Sequence, residues 1–147
     1  MSYVSIRDIL DGKIEGKEAT VRGWVHRKRE GKEMIFLVMR DATGIIQCTV
    51  KKTSPAWIEA AKITIESSAT LTGTVKTDTR APGGYEIQTE NVTIVGLADS
   101  PFPITKGRDR TGKKEEEDSE DFLRNIRHLW LRSREMTLIM KARSKVL

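Results

Sequence analysis

A mainly β fold, a five-stranded barrel with short helices, is predicted by three observations. Apolar and polar residues alternate over several stretches between Glu18 and Leu97, the two-residue period of half-buried strands. Clusters of Gly, Pro, Asp and Ser punctuate those stretches where turns are needed. One short helical segment interrupts them after the third strand. Three strands, a helix and two more strands is the order of an OB-fold, a small Greek-key barrel with a helix between its third and fourth strands.

Taken in order, Ser5-Ile6-Arg7-Asp8 reads as the start of a short N-terminal helix, with Ser5 as N-cap and the helix ending near Gly12. In the first strand Ala19, Val21 and Val25 share one parity, with Gly23 among them. Ile35, Leu37 and Met39 form the inner face of the second strand, and Ile46, Cys48 and Val50 that of the third. Asp41-Ala42-Thr43-Gly44 joins these two as a tight turn. Ser54-Pro55 is read as opening the helix, with Pro55 at its first position and Trp57, Ile58, Ala61 and Ile65 as its inner stripe. The fourth strand runs from Ser67 to Thr77, with Ala69, Leu71, Gly73 and Val75 on one parity. A loop from Asp78 to Gly84 leads to a fifth strand from Tyr85 to about Leu97. Trp24, of parity opposite to Val25, reads as packing against the N-terminal helix in preference to stacking on a base.

Beyond residue 98 the composition shifts. Lys106 to Lys114 is rich in Lys, Arg and Gly, and Glu115 to Asp118 is a run of acids, so 99–126 is read as an exposed linker. Helical spacing returns from Ser133 to Leu147, with Met136, Ile139, Met140 and Arg143 near one side. The expected organisation is a barrel over 1–98, a linker over 99–126 and a further element over 127–147 that continues past Leu147.

Composition narrows the partners. The chain has 147 residues and a formal net charge of +5, which favours polyanions through phosphate neutralisation and counterion release. Cys48 is the only cysteine, so an internal disulfide is excluded and a cytoplasmic setting is the simplest reading. One cysteine and two distant histidines do not make a usual zinc set, and no metal is expected. The longest apolar runs, such as Met34 to Met39, are far too short for a bilayer, and no membrane role is expected. No phosphate-binding loop, dinucleotide motif or nucleophile triad is present, so catalytic residues and cofactors are not expected in this stretch.

The segment from Gly23 to Gln47 carries the functional signal. If the inner faces are as assigned, Phe36 and Gln47 both point outward from paired strands. An exposed Phe offers a face for a base, and a Gln amide sets a donor beside an acceptor, matching a uracil edge. Arg27, Lys28, Arg29 and Lys32 make a cationic edge suited to phosphates. Alternation gives Arg27 the inward parity of Val25, so an outward Arg27 requires a bulge or a strand that has passed the barrel rim. His26 reads as structural or as a reader. Pro82-Gly83-Gly84 reads as a flexible turn or as one wall of a nucleotide pocket.

The same residues resemble a known family. Glu18 to Leu97 is similar to the anticodon-binding OB domain of the class II aminoacyl-tRNA synthetases for aspartate, asparagine and lysine. Arg127 to Ser133 (RHLWLRS) and the helix reaching Leu147 resemble the approach to that group's motif 1 helix. RHLWLRS, with Ala81 to Ile87 (APGGYEI), looks like the asparaginyl enzymes of archaeal and eukaryotic type. The resemblance implies that Phe36 stacks on the middle uridine of the anticodon and Gln47 reads its edge. It implies that Arg27 and Arg29 lie near the anticodon loop, and that His26 and Pro82, beside Gly83, face the third anticodon base. Relatives restricted to aspartate tend to hold Trp and Lys at the positions of His26 and Pro82, so His and Pro here imply tolerance of the asparagine anticodon. The full enzyme so implied joins asparagine to tRNA with ATP and Mg, as a homodimer through the motif 1 region. Its motif 2 and motif 3 arginines would lie beyond Leu147, so this stretch is expected to bind the anticodon loop and to be inactive alone. The alternatives are the corresponding domain of an aspartyl enzyme, a free-standing OB-fold binder of single-stranded RNA or DNA, and an interaction module whose terminal helix docks a partner.

Overall fold

The structure, a computed structural model, describes residues 3–99, 102–103 and 120–146. It divides into two compact units, Met1–Pro101 and Phe102–Leu147. In the first, strands β1 (Glu18–Glu30), β2 (Met34–Arg40), β3 (Ile45–Lys51), β4 (Ser68–Thr77) and β5 (Tyr85–Gly96) close into a barrel in the order β1-β2-β3-β5-β4. Helix α1 (Ile6–Leu10) precedes β1, and α2 (Trp57–Lys62) lies between β3 and β4. This is the predicted five-stranded OB-fold.

Barrel closure rests on β1. Its first half pairs antiparallel with β4, from Glu18 opposite Thr74 to Trp24 opposite Ser68. Its second half pairs with β2, from Trp24 opposite Arg40 to Glu30 opposite Ile35. Thirteen residues are needed to serve two partners in sequence. Gly23 sits at the crossing, where a Cβ would overlap the Arg40 carbonyl oxygen. The strands approach too closely there for any side chain.

The inner faces match the sequence reading. Val21, Val25, Ile35, Leu37, Met39, Ile46, Cys48, Val50, Leu71, Val75 and Ile87 are fully buried in one core. The Cys48 thiol lies among them, and burial pushes its pKa well above the usual thiol range, so it packs as a small apolar group. Ser5 caps α1 by accepting from the Asp8 amide at 3.2 Å, and Ile6 and Ile9 are buried in the barrel core.

Helix α2 differs from its sequence reading. It begins at Trp57, two residues later than assigned, and Pro55 lies in the preceding turn. Within it Ala60 is buried, flanked by the buried cap residues Ala56 and Ile63, with Trp57 partly packed, while Ile58 is 65% exposed. Small residues face inward because the helix sits close against β2, β3 and β5. Trp24 is 48% exposed and stands on β1 opposite Arg40 of β2 and Ser68 of β4.

The Asp41–Gly44 turn is fastened to α1 by one carboxylate. Asp41 Oδ1 accepts from the Thr43 amide (2.6 Å), the Thr43 hydroxyl (2.7 Å) and the Gly44 amide (2.9 Å). Its Oδ2 accepts from the Ile6 amide at 2.9 Å. Desolvation raises the pKa of this group, but the donors from Ile6, Thr43 and Gly44 outweigh it and hold the carboxyl below its usual value. Asp41→Ala is expected to cost about 2–3 kcal/mol in urea unfolding, because it strands several amide donors; Asp41→Asn is expected to recover part of that. A depressed folded pKa stabilises fully above the unfolded value near 4, and that stability is lost as pH falls through the folded value. Comparing the melts at pH 7 and pH 3 checks this. The parent should lose more stability on acidification than Asp41→Asn.

In the second unit α3 (Glu120–Asn125), α4 (Arg127–Trp130) and α5 (Arg134–Val146) follow one another. Helix α3 falls within the stretch read as linker. Ser133 is placed as the expected cap of α5, its hydroxyl accepting from the Met136 amide at 3.3 Å. The basic and acidic runs from Lys106 to Asp118 lie outside the described residues. Among the described residues no helix is long and apolar enough to cross a membrane.

Candidate nucleic-acid interface

A β-bulge decides which cations face outward. The register of β1 against β2 shifts between Val25 and Arg27, leaving His26 as the extra residue. Val25 stays in the core, and the parity then flips so that Arg27 and Arg29 are exposed. The flip turns Lys28 the other way. Its ammonium donates to the carbonyl oxygens of Ala61 (2.6 Å) and Ile63 (2.9 Å) at the end of α2, and pairs with Glu30 at 2.6 Å. With its side chain only 14% exposed, Lys28 caps a helix C-terminus. It leaves the cationic edge to which sequence reading assigned it.

Register then sets two rungs across the outer surface. In one, Arg29 faces Phe36, which faces Thr49, which faces Gln88. In the next, Arg27 faces Val38, which faces Gln47, which faces Glu86. Phe36 and Gln47 are therefore diagonal neighbours on paired strands, about 7–8 Å apart. Both are half-buried, less open than an outward residue of an uncovered sheet. The Arg29 guanidinium lies over the Phe36 ring, 4.6 Å from its centroid.

Glu86 belongs to the site although sequence reading did not select it. The Gln47 Nε2 donates to Glu86 Oε2 at 3.2 Å, and Glu86 is 8% exposed. A carboxylate accepts hydrogen bonds, so it admits only the amide nitrogen and fixes which way the amide points. Parity alone gives Glu86 the side opposite to the inward Ile87; only the parallel pairing of β5 with β3 brings it to Gln47.

His26 and the loop from Asp78 to Gly84 flank these rungs. Arg40 spans from His26 Nδ1 (3.4 Å) to Glu66 Oε2 (3.0 Å), which orients the bulged imidazole. Glu66 is a non-glycine residue at a φ of 69°, held where its amide donates to the Val25 carbonyl at 2.7 Å. Pro82 and Gly83 are exposed at the tip of the loop that leads into Glu86. Gly83 has a φ of 84°, and a Cβ there would lie 2.6 Å from Leu10 Cδ2, so the tip requires glycine. Asp78 is held below the usual carboxylate range by hydrogen bonds from the Arg80 side chain and amide. The structure thus joins Arg27, Arg29, Phe36 and Gln47 on one surface. His26, Pro82 and Gly83 stand at neighbouring elements.

A half-buried ring beside an oriented amide, edged by two arginines on a closed five-stranded barrel, offers the kinds of group that engage unstacked bases and phosphates. Among the described residues, no three His, Cys, Asp or Glu side chains are grouped to hold a metal.

Known proteins share this arrangement of strands. The chain is 42% identical over 136 residues to the asparagine–tRNA ligase of Thermococcus kodakarensis, covering 91% of this chain and 29% of that protein. It is 38% identical over 146 residues to the asparagine–tRNA ligase of Thermoplasma acidophilum, covering 97% of this chain and 32% of that protein. It therefore spans about a third of the length of these relatives. The asparaginyl-tRNA synthetase of Pyrococcus horikoshii, complexed with asparaginyl-adenylate, superposes with a TM-score of 0.73 at 31% identity, over 96% of this chain and 31% of that one. The aspartyl-tRNA synthetase of Entamoeba histolytica, at 24% identity and a TM-score of 0.77 over 98% of this chain and 35% of that one, shares the fold. Residues 19–95 match the tRNA anti-codon family, OB-fold nucleic acid binding domains, and the chain belongs to that family.

Proposed function

We propose that this chain is the anticodon-reading part of an asparagine–tRNA ligase. The carrying observation is the Gln47–Glu86 pair beside the Phe36 ring. With one amide hydrogen given to Glu86, Gln47 presents its other N–H and its carbonyl outward. These match O4 and N3–H of uracil. Cytosine presents the opposite pattern, and Glu86 opposes the amide flip that would accommodate it. The middle base of the asparagine anticodon, uridine, stacks on Phe36. It takes the place of the Arg29 guanidinium, and Arg29 and Arg27 then neutralise phosphates. His26, oriented by Arg40, and Pro82 with Gly83 bound the pocket of the third base. This assignment is supported by their place beside the two rungs and by the relatives named asparagine–tRNA ligase.

The whole protein would act in the cytoplasm and use ATP and Mg to join asparagine to tRNA. The relatives named asparagine–tRNA ligase are about three times the length matched by this chain, and that chemistry is assigned to the part of such a protein that the match does not span. Residues 127–147, with α4 and α5, form the entry to the catalytic domain and, through it, to a homodimer.

Binding of stem-loops with the anticodons GUU and GUC tests the assignment. GUU should bind at least as tightly as GUC, and both should exceed an unstructured oligonucleotide of the same composition. Preference for GUC would reassign the chain to an aspartyl enzyme, and equal affinity for all three would leave a general single-strand binder.

A further inference from the structure

One large aromatic on the same outer surface has no part in reading the triplet. Trp24 is 48% exposed. It shares the outward side of β1 with the exposed Arg22 and faces Arg40 across β2. The rung of Trp24 and Arg40 continues to Ile45 on β3, as the rungs of Arg27 and Arg29 continue to Gln47 and Thr49. Trp24 therefore stands one rung beyond Arg27 on β1, across the His26 bulge, with Arg40 and Ile45 completing its rung. Two cations flank it. Arg40 is held between His26 and Glu66. The Arg22 guanidinium lies over the Tyr3 ring, 3.3 Å from its centroid, and donates to the Tyr3 hydroxyl.

We propose that Trp24 is a stacking platform for one further base of the RNA loop, the nucleotide that follows the triplet on the His26 side, with Arg22 set to meet its phosphate. The inference rests on the anticodon reading above. An indole beside arginines, continuous with an aromatic-and-cation surface, suits an unstacked base. A purely apolar protein partner would leave the flanking charges desolvated.

Fluorescence of the whole chain tests it. Its other tryptophans are Trp57 and Trp130, so Trp57→Phe with Trp130→Phe leaves Trp24 as the reporter. Saturation with a GUU stem-loop should quench Trp24 emission, whereas the bare GUU trinucleotide should not. Trp24→Leu should weaken stem-loop binding about tenfold, and Trp24→Phe should retain most of it. Should Trp24→Leu fail to fold by circular dichroism, the quenching alone decides. Emission unchanged at saturation overturns the proposal, as does emission that varies only with protein concentration, which would mark a self-association surface. If Phe36→Ala and Gln47→Ala still weaken binding in that case, the anticodon reading stands without this extension. If they do not, both fall together.

Discussion

Phe36→Ala is expected to weaken binding of a GUU anticodon stem-loop by about 5- to 150-fold, the affinity equivalent of 1–3 kcal/mol for one base–aromatic stack. The barrel should remain folded, because Phe36 stands outside the core formed by Ile35, Leu37 and Met39. Phe36→Tyr should keep most of the affinity, since it preserves the stacking face. Arg29→Ala separates two roles. Its guanidinium covers the ring in the free protein, so its removal frees the ring for a base while deleting a phosphate partner. The salt dependence of binding should therefore become shallower in Arg29→Ala and stay unchanged in Phe36→Ala. Titration by fluorescence anisotropy at several salt concentrations checks both. An unaltered affinity in Phe36→Ala would contradict the stacking role.

Gly23→Ala is expected to cost about 3 kcal/mol or more of stability. The added Cβ overlaps the Arg40 carbonyl oxygen, which belongs to the backbone and cannot rotate away. Relief requires β1 and β2 to part at the crossing, next to the rung that places Trp24 and Arg40. The damage therefore reaches the interface too: RNA affinity should fall along with the urea midpoint. A variant as stable as the parent would mean that the two strands do not meet this closely.

The barrel was legible because its determinants are local and repeat. Alternation from Ala19 to Val25, from Ile35 to Met39 and from Ala69 to Val75 carries the inside–outside assignment without knowledge of the partners. Ser5 and the Asp41 turn announce themselves through side chains that satisfy nearby backbone donors. Three features depend on tertiary context. The bulge at His26 has no compositional mark, yet it decides that Arg27 and Arg29 face out and Lys28 turns under α2. The buried phase of α2 could not be read from a six-residue helix, in which several stripes fit the same letters and Pro55 suggests too early a start. Glu86 appears as a surface acid until the parallel pairing of β3 with β5 brings it to Gln47. Phe36 and Gln47 were found by parity alone, whereas the groups that cover the ring and aim the amide came from across the sheet.

The most direct measurement is an affinity cycle between Gln47 and the middle base of the anticodon. The parent should bind a stem-loop with uridine at that position about tenfold or more tightly than one with cytidine, a difference of about 1.4 kcal/mol or more. In Gln47→Ala that preference should vanish, with both loops bound weakly. If Gln47→Ala discriminated uridine from cytidine as sharply as the parent, the amide would not be reading that base.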